Sequence, residues 1–144
     1  MKLNLKKIAM TLCASALLTS GVAMADGWPS SVAGRWSVVG NQSLGTLEIS
    51  QFAGASGSQC KPIRGRIYNV DNIEGFYCPG SGRLGFLRYI GTSNNPKQHW
   101  LGNLSQVRRG LPLRIGGQFA TFDHNNVSGT SGGSLGEYNF SATR

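Results

Sequence analysis

The segment KQHWLGNLS, residues 97–105, decides the fold class. Trp100, Gly102 and Leu104 fall at every second position, with Leu101, Asn103 and Ser105 between or after them. A period of two marks a β-strand with one face turned to a core. The same reading extends outward to seven more segments, at 34–40, 44–52, 62–70, 73–78, 83–91, 113–122 and 135–143. Ile63, Gly65 and Ile67 share one face and Arg64 and Arg66 the other, while Leu47 and Ile49 oppose Glu48 and Ser50.

Between these segments lie turn clusters such as AGASGS, VDN, PGSG and TSNNP. Most are too short for crossover helices, which leaves antiparallel hairpins in series. Eight strands joined in this way close into an up-and-down barrel, with a two-sheet sandwich as the rival. Glycines at 65, 75, 85, 102, 116 and 117 fall inside strands and favour the barrel, because a tightly curved sheet brings backbones close together. The expectation is an all-β, eight-stranded antiparallel barrel.

The first 25 residues read as a signal peptide. Lys2, Lys6 and Lys7 form a basic start, IAMTLCASALL an apolar run, and Ala23-Met24-Ala25 a small-x-small cleavage site. Cys13 lies inside the apolar run behind a leucine, without the small residue that a lipid-anchored cysteine follows. Residues 26–144 remain as a single domain, expected to be periplasmic or secreted, and no later segment has the ~20 apolar residues of a membrane span. Eleven Lys and Arg face six Asp and Glu in this part, but no basic run exceeds Arg108-Arg109, so nucleic acid is not an expected partner.

Cys60 and Cys78 are the cysteines that remain, and an even count in an exported chain points to a disulfide. A catalytic or metal-bound thiol would need neighbours, and His99 and His124 are distant from both in sequence. Asp123 and His124 together fall short of the three or four ligands of a zinc site. Asp71 and Glu74 flank a turn and read as solvated residues, and no nucleophile-elbow pattern occurs. Catalysis, metals and cofactors are therefore not expected. Arg88 stands between Phe86 and Ile90 at period two. Either it is solvated with Leu87 and Tyr89 facing inward, or it points into the lumen, where a buried guanidinium needs a carboxylate, carbonyls or a ligand anion.

The ordered series GRW…NQSLGTLEIS, IRGRI, RLGFLRYIG, HWLGNLS, RIGGQFATF and LGEYNFSATR resembles the avidin family, secreted eight-stranded barrels that bind biotin. The resemblance implies hydrogen-bonding roles for Asn41 and Thr46 and pocket-wall roles for Trp100 and Phe119. It puts Ile90, Pro96, Gln98 and Tyr138 where the family carries its stacking Trp, its hydroxyl pair and its ureido-binding Asp. Unpaired buried ureido groups cost ~1–3 kcal/mol each, so biotin is not the expected ligand. What the resemblance implies instead is a noncatalytic binder whose open end, lined by Trp36, Phe86, Trp100, Phe119 and Tyr138, holds a small apolar or amphipathic molecule. Barrels of this kind also pair through their outer faces, which makes a homo-oligomer an expected partner state. The second class of function is an exported interaction module or inhibitor, with Arg64, Arg66, Arg108 and Arg109 meeting an acidic protein or envelope polymer.

Overall fold

In a computed structural model of the chain, residues 28–92, 94–106, 110–122 and 134–144 are described; residues 1–25, expected to be a signal peptide, and Arg108, Arg109, Asp123 and His124 lie outside them. Eight strands follow in order: β1 (Gly34–Gly40), β2 (Ser43–Gln51), β3 (Lys61–Ile67), β4 (Asp71–Cys78), β5 (Arg83–Tyr89), β6 (Gln98–Ser105), β7 (Arg114–Phe122) and β8 (Ser134–Thr143). Each pairs antiparallel with the next, and β8 returns to β1 through Ser37 opposite Thr143 to Gly40 opposite Phe140. That last ladder removes both edges and decides for the closed barrel over the sandwich. The third strand stops at Ile67 rather than at residue 70, because Tyr68 and Asn69 take φ values of 56° and 65° and turn the chain.

Alternation along each strand fills the lumen. Trp36, Val38, Leu47, Ile49, Ile63, Ile67, Ile73, Leu84 and Ile115 are buried, while Arg35, Arg64 and Arg66 stand outside. Charged residues outside and apolar ones inside reverse the polarity of a lipid-facing barrel. No helix among the described residues is long and apolar enough to cross a membrane. The outer ion pairs Arg35–Glu48 and Arg64–Glu74 are exposed and contribute at most about 1 kcal/mol each. Curvature draws some strands very close. A Cβ on Gly75 would lie 2.0 Å from the carbonyl oxygen of Gly85, and one on Gly117 would lie 2.1 Å from that of Leu101. Only glycine fits there.

The lumen is layered by register. Phe86, Trp100, Phe119 and Tyr138 form one row across β5 to β8. Trp100 stacks between Phe86, at 5.5 Å between ring centroids, and Phe119, at 4.1 Å, with the edge of Phe140 at 4.8 Å. Burying rings of this size stabilises the fold by roughly 2–3 kcal/mol apiece.

One end of the barrel is sealed by the segment leading into β1. The Val32 side chain is fully buried there, and Trp28 packs against the same core. The indole of Trp36 donates to Val32 O at 3.0 Å, the Tyr77 hydroxyl to Pro29 O at 2.6 Å, and Gln51 and Lys61 both to Ser30 O. The disulfide Cys60–Cys78 lies at the same end, one step beyond the Lys61–Tyr77 pair of the β3–β4 ladder. Closing its 18-residue loop restricts the unfolded chain by about 3 kcal/mol in the loop-entropy model. Replacing both cysteines by alanine should lower the melting temperature by about 10 °C, measured by circular dichroism, while the barrel signal persists below the transition.

Burial pushes the Tyr77 phenol up to about 12 from its ordinary 10.0. The folded value lies above the unfolded one, so Tyr77 stabilises fully below pH about 10, and that contribution fades as pH rises through 12. Thermal scans between these pH values should show wild type losing up to about 2 kcal/mol and Tyr77→Phe losing less, although the variant is weaker at pH 7 by about 1 kcal/mol for its missing hydrogen bond.

Candidate functional site

At the opposite end lie the ends of β1, β3, β5 and β7 and the starts of β2, β4, β6 and β8. One register row above the aromatic layer, β5, β6 and β7 place Arg88, Gln98 and Thr121 side by side. Period two puts them on the lumen face, directly over Phe86, Trp100 and Phe119. Arg88 is bound on three sides. Its Nε donates to Asp71 Oδ2 at 2.9 Å, Nη2 donates to the same oxygen, and Nη1 donates to Gln98 Oε1 at 2.9 Å. The other carboxylate oxygen of Asp71 accepts the Gly91 N–H at 2.9 Å. Gln98 also accepts the Trp100 indole N–H at 3.1 Å and donates to Thr121 Oγ1 at 3.0 Å.

This network is partly buried, with the Asp71 side chain 4% exposed and that of Arg88 15%. Among the described residues no buried side-chain nitrogen or oxygen lacks a partner. A charge so placed is tolerable only when paired and fully hydrogen-bonded. Tyr68 completes the arrangement. A bulky residue at φ 56° is a backbone outlier, and here it throws the ring across the barrel onto Gly40 and Gly45, whose missing side chains leave the space. Arg88 stacks over its face, 4.7 Å from the centroid. Burial raises the Tyr68 pKa, against the lowering by Arg88 and by the Gly40 backbone, so it remains a neutral phenol.

What is left open is a hollow of about 440 Å³, with the Arg88–Gln98–Thr121 row as its floor. Asn41, Ser43, Phe119 and Tyr138 form its far wall. Tyr138 is 37% exposed and rests on Phe119, at 5.2 Å between centroids.

Several sequence expectations change here. Asp71 is not a solvated turn residue but the buried partner of Arg88, because it shares the inward parity of Ile73 and Tyr77. Arg88 faces the lumen, and Leu87 and Tyr89 lie on the outward parity. Of the aromatics expected to line an open end, Trp36 sits at the sealed end, and Trp36, Phe86 and Trp100 are buried core. Only Phe119 and Tyr138 reach the hollow. Thr46 falls on the outward parity of β2, opposite to Leu47, whereas Asn41 does border the mouth. Tyr68, Asp71, Ser43 and Thr121 were not foreseen as mouth residues. Parity alone marks Asp71 and Thr121; the positive φ that carries Tyr68 inward has no comparable signature. Among the described residues no three His, Cys, Asp or Glu converge as a metal site would require.

Comparison with known proteins adds no relative: no family model matches the chain and no curated protein matches it.

Removing one partner of the ion pair strands the other. Asp71→Ala should destabilise the fold by about 2–3 kcal/mol, at or just below the low end of the range for fully buried pairs because Arg88 keeps some solvent. The double variant Asp71→Ala/Arg88→Leu should recover at least half of that loss in urea denaturation, since no unpaired charge remains.

Proposed function

We propose that the protein is an exported, noncatalytic binding protein that takes one small amphipathic molecule at the open mouth of its barrel. The observation that carries this reading is the mouth itself: a hydrogen-bonded polar floor, Arg88–Gln98–Thr121, beneath a hollow that the described side chains leave open. A polar group of the ligand would meet that floor. Its apolar part would meet the rings of Phe119 and Tyr138. The aromatic layer is full, so the ligand rests on Gln98 and does not enter the barrel. Export agrees with the disulfide, which persists in oxidising compartments, and with the signal-like first 25 residues.

The indole N–H of Trp100 reports on the site, because it is bonded to Gln98 from below. Native mass spectrometry of protein purified from its source should show a retained small molecule together with the oligomeric state. In ¹H–¹⁵N spectra, that molecule or amphipathic fragments should shift the Trp100 indole and Gln98 amide signals. If no retained molecule and no fragment moves either signal, the mouth is not a binding site and the Arg64–Arg66 face becomes the surface to test with acidic polymers.

A further inference from the structure

We infer that the group received at the mouth is a neutral, hydroxyl-rich ring, a saccharide unit, and not an anion. This rests on the binding reading above and adds the chemical class. The first ground is charge. Among the described residues Arg88 is the one cation lining the hollow, and Asp71 cancels it through contacts to two of its nitrogens. An incoming anion would meet a closed ion pair, with the Asp71 carboxylate directly behind the guanidinium, and would gain a dipole in place of a full charge.

The second ground is the donor and acceptor pattern. Three of the five guanidinium N–H groups are engaged with Asp71 and Gln98, so Arg88 keeps donor capacity while Gln98 Oε1 already accepts from both Arg88 and Trp100. Around them stand Asn41, Ser43 and Thr121, whose amide and hydroxyl groups both donate and accept. Sugar hydroxyls do the same. A carbonyl ligand would use the donors only, and an ammonium the acceptors only.

The third ground is the platform. Tyr138 presents a ring to the hollow, backed by Phe119. The negative face of an aromatic ring attracts the polarised C–H groups on one face of a pyranose, while its hydroxyls project sideways to the polar floor. The floor is fixed before binding by its own hydrogen bonds, which lowers the ordering cost of capture. At about 440 Å³, and open on one side, the hollow suits one terminal unit of a longer glycan.

The test uses the full folded domain and the methyl glycosides of glucose, galactose, mannose and N-acetylglucosamine, with glucuronate, acetate and inorganic phosphate as anionic probes. The Trp100 indole and Tyr138 ring signals are followed by NMR. At least one neutral glycoside should move both signals and bind more tightly than any of the anions. Tyr138→Ala, at an exposed position, should weaken that binding about tenfold, and Tyr138→Phe should keep it within about threefold. Tighter binding of an anion overturns the inference, and so does a screen in which amphipathic fragments move the signals and no glycoside does. In the second case the mouth remains a binding site and only its chemical class is wrong. Silence from every probe removes both readings.

Discussion

The stack of Phe86, Trp100 and Phe119 sets the depth to which anything can enter this barrel. Eight strands enclose a lumen just wide enough for side chains or one small ligand. Here one register row places three large rings across the interior, and Phe140 closes on Trp100 edge-on. The indole has no free polar atom, because Gln98 holds its N–H. Opening the lumen would therefore mean exposing two ring faces and breaking a buried hydrogen bond together. The aromatic layer acts as a floor support, and the open space at this end is confined to what lies above it.

Above that floor, the Asp71–Arg88 pair ties the hairpins together. Asp71 begins β4, immediately beyond the strained Tyr68–Asn69 turn, and Arg88 lies near the end of β5. Through Gly91 and Gln98 the same pair reaches the β5–β6 connection and the start of β6. On the other side of the mouth, Asn41 N–H donates to Asn139 O at 3.0 Å and fastens the β1–β2 turn to β8. A buried ion pair is weak evidence of added stability, since desolvation consumes most of its attraction. Its effect here is positional. It fixes which hydrogen-bonding atoms face outward, and Arg88 stacks on the Tyr68 ring that occupies the space left by Gly40 and Gly45.

How much of this was legible follows from which residues obey parity. Trp100, Leu104, Ile63 and Ile67 lie on strands with unbroken alternation, and the sequence alone assigned their faces, which the structure bears out. The barrel followed from the same regularity together with short connections and mid-strand glycines. The site was harder. Arg88 obeys parity but is charged, so its face stayed open until Asp71 emerged beside it across seventeen residues of chain. Asp71 was misread because a carboxylate beside a turn is ordinarily solvated. Tyr68 was invisible because a turn conformation, not a strand period, aims its ring. Phe86 and Trp100 were legible as lumen residues, yet whether a lumen stays open depends on how ring volumes add across neighbouring strands, and that sum is not local.

The two ends of the barrel are built from different chemistry. At the sealed end, Trp36, Tyr77, Gln51 and Lys61 all donate to backbone carbonyls of Pro29, Ser30 and Val32. A carbonyl is supplied by every residue, so that seal depends on chain path and on the buried Val32 side chain. At the mouth the partners are side chains bonded to side chains, where each identity matters. Tyr138 and Asn41 border the hollow from exposed positions. Replacing them alters the wall of the hollow without opening the aromatic layer, whereas replacing Gln98 disturbs Arg88, Thr121 and Trp100 at once. The wall of the hollow can therefore be changed while its floor, shared with the core, stays intact.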